Sequence, residues 1–185
     1  TGREILVLER GCGEGLRSLQ VCAEEWRVVP LVPGGAWPDD ADAACGLVPG
    51  NARFEGLAWG AMSLAQQFRA RARIGRVFSW TAWVSNLTVR ENLLLAGQYH
   101  GCCSESDLLT RAGVLGRRFG LGSIPDERWE ELPRGVLRGW EWVRAWLLEP
   151  SLLLLECPEL GVEEQQLARL CECVAETVRG GAAVV

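Results

Sequence analysis

Residues 150 to 162 read PSLLLLECPELGV, and no other stretch restricts the fold as strongly. Four leucines running into Glu156 are the pattern of a buried parallel strand that delivers a carboxylate to the end of a sheet, where phosphate sites form. The following EEQQLARLCECVAETV has helical spacing, and AAVV begins another strand, so the chain ends in a βαβ unit. The residue after Glu156, where a second carboxylate is expected, is Cys157.

The upstream segments continue the alternation. EILVLE (4–9) and EWRVVPLV (25–32) read as strands, the latter entering the turn Pro33, Gly34, Gly35. DDADAAC is a candidate helix to Gly46, FEGLAWG a short strand or loop, MSLAQQFRARAR a helix, and IGRVFSW (74–80) a buried strand. Thr88 with Glu91 three residues on forms a capping box for a helix containing Leu93, Leu94 and Ala96. SDLLTRAGVLGRRFG and LRGWEWVRAWLLE are further helices, the second with Leu137, Trp140, Val143, Arg144 and Leu147 at three- and four-residue spacing. The expectation is an α/β chain with a parallel sheet, interrupted by a helical stretch over about 85–148.

A chain of 185 residues suits one domain with its own core. A net charge of −5 gives no electrostatic footprint for nucleic acid or an anionic membrane. The chain has no lysine, so all 19 basic residues are arginine. The 8 cysteines lack paired CxxC spacing with histidines, so they read as reduced thiols of a cytosolic protein and predict no metal site. No apolar run approaches the ~18 residues that span a bilayer, because Arg144 and Glu149 interrupt the longest one. The chain starts at Thr1 without a signal-peptide pattern and stops in GGAAVV, and the expectation is a partial chain.

Taken in order, LVPGGAWPDD, RIGRVFSWTAWVSNLTVRENLLLAGQYHG, ELPRGVLRGWEWVRAWLLEPSLLLLECPELGVEE and GGAAVV resemble the ATP-binding subunit of an ABC transporter. The resemblance runs from about residue 25 to the end and is closest over 74–100 and 131–163. It implies a P-loop NTPase (RecA-like) core over 1–78 and 151–185, with mostly parallel sheet, and an inserted helical subdomain over 79–150.

In that family a glycine-rich Walker A loop cradles the triphosphate with backbone N–H groups, its lysine reaches the β and γ phosphates, and a hydroxyl holds magnesium. The matching residues are Gly34, Gly35, Ala36, Trp37, Pro38 and Asp39. Trp37 stands in the lysine position without a charge. Pro38 brings neither N–H nor hydroxyl, and Asp39 sets a negative charge beside a polyanion. No lysine from elsewhere can substitute. Glu156 matches the Walker B aspartate that faces magnesium. Cys157 matches the glutamate that polarises water, a task a thiol performs poorly. A Cys157 nucleophile with the lone His100 is the sharper alternative.

The signature segment resembles Leu132, Pro133, Arg134, Gly135 and Val136, with Arg134 as an arginine finger the alternative reading. Ser79 stands where the Q-loop glutamine is expected, although Gln98 occurs later. Leu160, Gly161, Val162 and Glu163 resemble the D-loop. No adenine-stacking aromatic is apparent near Gly11 to Gly13, and the switch histidine is expected beyond Val185. Trp80 and Trp83 are candidates for a surface facing the membrane-spanning subunit, or for packing between the two lobes.

The expected function is a degenerate ABC-type ATPase subunit, catalytically silent, with ATP and magnesium weak or absent. It is expected to work structurally or as a regulator on the cytoplasmic face of a membrane, with a transmembrane permease and a second ATP-binding subunit as partners. A weakly active ATPase and a free-standing interaction protein on the same scaffold are the alternatives. Neither cargo nor direction of transport is legible.

Overall fold

The structure is a computed structural model that describes residues 2–9, 18–29 and 37–185. Its strands form two sheets. In the first, β1 (Glu4–Glu9) pairs antiparallel with β2 (Ser18–Cys22) on one side and β3 (Asn51–Phe54) on the other, and β4 (Leu57–Ala58) extends β3. In the second, β5 (Ile74–Val77), β6 (Leu152–Leu155) and β7 (Ala183–Val184) run parallel in that order. The helices are α1 (Trp37–Ala44), α2 (Leu64–Arg71), α3 (Val89–His100), α4 (Glu105–Arg118), α5 (Arg134–Trp146) and α6 (Glu164–Arg179).

The leucine run of β6 joins two cores. Side chains alternate across a strand, so a strand covered on both faces must be apolar at every position. Leu152 and Leu154, with Ala183 and Val185, pack into the core under the antiparallel sheet, alongside Ile5, Leu6 and Phe54. Leu153 and Val184 face the opposite way, into a core built by α3, α4, α5 and α6. That second core is rich in indole. Trp140 and Trp142 are fully buried, and the Phe119 ring meets Trp142 and Trp146 edge-on with centroids 5.4 and 5.5 Å away.

The expected strand over 25–32 contributes only one bridging residue among the described residues: Trp26 pairs parallel with Val184 beside β7. Arg27 N–H donates to the Val184 carbonyl at 2.8 Å, and Val184 N–H to the Glu25 carbonyl at 3.0 Å. EILVLE is read in sequence as a strand and FEGLAWG as a short strand or loop, but their antiparallel pairing was not expected; only β5, β6 and β7 form the parallel part. β2 follows the glycine-rich GCGEG but, at five residues, is not read as a strand in sequence, and it gains its identity from pairing with β1.

The helix expected to begin at the Thr88 capping box does so, and the structure adds a second box that was not expected from sequence. Thr88 accepts from Glu91 N–H while Glu91 accepts from Thr88 N–H, and Ser63 and Gln66 form the same reciprocal pair at the start of α2. α5 begins three residues before the expected Leu137, because Pro133, with φ −59° and no N–H to place, occupies its N-cap.

α5 lies directly on the parallel sheet. A Cβ on Gly75 of β5 would fall on the Ala145 carbonyl oxygen of α5. Main chain against main chain leaves nothing flexible to yield. Gly75→Val is therefore expected to lower stability by about 3 kcal/mol, read as a lower urea midpoint with an unchanged slope; a midpoint equal to the parent's would contradict this contact.

Candidate functional site

β5 and β6 are in parallel register from Ile74 with Leu152 to Val77 with Leu155, so their C-terminal ends open side by side. Ligands in α/β sheets bind beyond those ends. Glu156 follows β6 with its N–H bonded to the Val77 carbonyl at 2.9 Å, and it is 1% exposed. Its carboxylate is fully engaged within the chain. Arg76 Nε donates to Oε1 at 2.6 Å, while the Ser79 N–H and hydroxyl donate to Oε2 at 3.3 and 3.2 Å.

The Arg76 guanidinium, itself buried, also donates through Nη1 to Asp42 of α1 at 2.5 Å and lies 4.3 Å from the Phe78 ring centroid. Burial opposes its charge, but the hydrogen bonds to Asp42 and Glu156 prevail and hold it protonated above its ordinary value. Two carboxylates thus share one internal cation. The Cys45 thiol beside this cluster is pushed up to about 11, chiefly by burial.

This arrangement tests whether Glu156 fits a magnesium ion, and it does not. A divalent ion needs carboxylate oxygen at about 2.0–2.1 Å, whereas both Glu156 oxygens are occupied and a guanidinium stands beside them.

Cys157 takes a left-handed backbone, φ 44°, uncommon for a residue with a side chain. Burial first, then the Glu159 charge, push its thiol up from the ordinary value, so it is neither thiolate nor base near neutrality. His100 sits at the end of α3 against the Phe68 and Tyr99 rings, at 4.6 and 5.1 Å between centroids.

Three of the sequence-predicted segments converge. Ser79, Trp80, Arg134, Arg138, Leu160 and Gly161 are among the residues around a cavity of ≈ 430 Å³. Gly135, in the first turn of α5, approaches Gly161 so closely that a Cβ would lie 2.6 Å from its carbonyl oxygen, and Gly161 itself has φ 77°. Leu132 precedes the α5 cap, Arg134 and Val136 are exposed on its first turn, and Val162 and Glu163 lead into α6, with Glu163 at the N-cap position but without a side-chain capping bond.

Of the Walker A-like residues, Gly34, Gly35 and Ala36 lie outside the described residues. The main chain of Trp37, Pro38 and Asp39 opens α1, with Asp39 exposed; the side chains of Trp37 and Pro38 lie outside the described set. Gly11 to Gly13 lie outside it as well.

Trp83 does not face outward. It is 7% exposed, with the Arg144 guanidinium 4.6 Å from its ring centroid, so it packs between α5 and the segment after β5; Trp80 is 49% exposed. That segment is gripped along its length. Arg138 donates to the Phe78 carbonyl at 2.7 Å and to Glu141 at 2.6 Å, Arg144 donates to the Ala82 carbonyl at 2.6 Å, and buried Asn92 exchanges hydrogen bonds with the Val84 main chain. Burial raises the Glu141 carboxyl, with Arg138 and Arg144 acting in the opposite direction.

Sequence reasoning missed Arg76, Asp42, Arg138, Glu141 and Arg144. The one available signal was an arginine in the middle of an apolar strand, IGRVF, which demands a buried anion; its partner is 80 residues away. Replacing Arg76 by Met strands that buried carboxylate. The expected loss is about 3–5 kcal/mol in chemical denaturation, with most of it recovered in the double variant Arg76→Met, Glu156→Leu. An Arg76→Met chain as stable as the parent would remove the pair from the account.

No family model matches the chain. Over 96 residues, 52% of the chain, it is 34% identical to the Nod factor export ATP-binding protein I of Paraburkholderia xenovorans (strain LB400). That match covers 31% of the relative, so the chain spans about a third of its length. Among solved structures, an ATP-binding subunit of an ABC transporter superposes with a TM-score of 0.79 at 21% identity, over 97% of this chain and 78% of the other. A dimeric ATP-binding cassette in a post-hydrolysis state, bound to ADP and Pi, gives 0.79 at 16% identity, over 98% and 86%. The chain has the fold of an ABC transporter ATP-binding cassette, and over half its length its sequence is similar to one.

Proposed function

We propose that the chain is a catalytically silent ATP-binding-cassette subunit, kept as a structural or regulatory half of an ABC transporter. In this reading residues 1–78 and 151–185 form the nucleotide-type core and 79–150 the helical lobe, with α5 as the rail between them. The observation that carries it is the Glu156 carboxylate, 1% exposed and held by Arg76 where a magnesium-facing group is needed. The absence of any lysine acts in the same direction. Without that charge the Walker A-like residues lack contacts worth roughly 1.5–3 kcal/mol each.

The partners in this reading are a transmembrane permease subunit and a second ATP-binding subunit, identical or not, and the place is the cytoplasmic face of a membrane. No helix among the described residues is long and apolar enough to cross a bilayer. Trp80 supplies an exposed aromatic anchor at the rim where the segment after β5 meets α5. Trp83 serves instead as the packed support beneath that rim.

Two measurements test the proposal. A fluorescent ATP analogue with magnesium is expected to show no saturable micromolar binding to the purified chain. Steady-state phosphate release is expected to stay at the buffer rate and to be unchanged in Glu156→Ala. Saturable binding together with turnover that Glu156→Ala abolishes would replace this reading with an active ATPase. For the transporter assignment, the chain is expected to co-purify with a multispanning membrane protein, less so after Trp80→Ala; a soluble species alone would count against it.

A further inference from the structure

A second, smaller cavity lies between β5, α3 and α5. Its volume is ≈ 170 Å³, and its wall includes Arg71, Arg76, His100 and Arg144 together with Gly75 and Ala145. That is room for about five or six water molecules, well under the ~300 Å³ at which pockets for drug-sized ligands begin. Three of the lining residues each carry a buried nitrogen without a protein partner: Arg76 Nη2, Arg144 Nη2 and His100 Nδ1. Arg76 is itself only 8% exposed.

The local charge does not balance. Arg76 is met by Asp42 and Glu156, and Arg138 is met by Glu141, which also faces Arg144. Arg71, by contrast, donates only to the Cys45 and Gly46 carbonyls and the Gln67 side chain, with no carboxylate among the described residues. The guanidiniums of Arg71, Arg76, Arg138 and Arg144 therefore stand against the carboxylates of Asp42, Glu141 and Glu156, an excess of one positive charge. Three of these guanidiniums have one face covered by a ring, Arg71 by Trp59, Arg76 by Phe78 and Arg144 by Trp83. Only their edges are left to bond. The uncompensated charge is that of half-buried Arg71, while the unspent donors belong to Arg76 and Arg144, and a buried charged donor without an acceptor is costly until one meets it.

We propose that this cavity is a binding site for one monovalent anion of chloride size, held between the Arg76 and Arg144 guanidinium edges with the His100 ring beside them. The site is independent of the silent-cassette reading, because it uses donors that neither Glu156 nor a nucleotide would engage. An anion there would lock α3, α5 and β5 together, since each supplies one of the three unpartnered nitrogens.

Chlorine NMR of sodium chloride solutions provides the first measurement. The purified chain is expected to broaden the chloride line, the surface variant Arg117→Gln to broaden it equally, and Arg144→Gln, which keeps a donor for the Ala82 carbonyl without the charge, to weaken chloride affinity about tenfold or more. Broadening equal in the parent and Arg144→Gln would overturn the site. Should Arg144→Gln fail to fold, crystals of the parent chain grown in sodium bromide decide the matter. An anomalous peak in contact with Arg76 and Arg144 is expected, and bromide confined to the outer surface would overturn the proposal.

Discussion

A guanidinium buried between two carboxylates organises the end of the parallel sheet. Arg76 projects from β5, Glu156 follows β6 and Asp42 belongs to α1, so one cation ties together two neighbouring strands and the helix that opens at Trp37. Desolvating the Arg76 and Glu156 charges is expensive, and such a pair survives only with near-complete hydrogen bonding. Glu156 achieves it with Arg76 on one oxygen and the Ser79 main chain and hydroxyl on the other. Ser79 is therefore fixed by the same carboxylate, and the segment it begins inherits its starting direction from the ion pair.

From that anchor the order spreads into α5. Arg138 and Arg144 reach from one helix to the Phe78 and Ala82 carbonyls, satisfying main-chain acceptors that no strand or helix would otherwise meet. The first turn of the same helix touches Gly161. α5 thus carries, on one rigid rod, contacts to the segments after β5 and after β6. A shift of α5 along its axis cannot leave either segment where it is, and the main-chain contact of Gly75 with Ala145 resists such a shift.

Much of the scaffold was legible in sequence because it rests on local rules. The four leucines of β6, the spacing of α6 and the reciprocal pair of Thr88 and Glu91 each specify their element within a few residues. β2 was not legible, since SLQVC acquires strand identity only through its register with β1. The two tryptophans after β5 show the same limit at the level of single residues. Trp80 and Trp83 are equivalent in a sequence, and what separates them is Arg144, distant in the chain, lying over one ring and not the other. The site had the same difficulty: Glu156 and Cys157 announced themselves by position, whereas Arg76 changes the meaning of Glu156 through a contact that no spacing rule reveals.

The exclusive use of arginine gains a physical meaning from these contacts. Lysine carries a compact, strongly hydrated charge on a flexible stem, and burying it in an apolar setting commonly drives it to the neutral form. A guanidinium is flat, retains its charge and offers five donors in its plane, so one face can lie on an aromatic ring while the edge bonds to oxygen. Arg71 over Trp59, Arg76 over Phe78 and Arg144 over Trp83 all use that geometry, with carbonyl or carboxylate oxygens at the edge. A lysine at any of the three would surrender the ring contact or the multiple bonds. The interior of this cassette fold is therefore built around guanidinium groups whose faces lie on aromatic rings and whose edges reach oxygens of the chain.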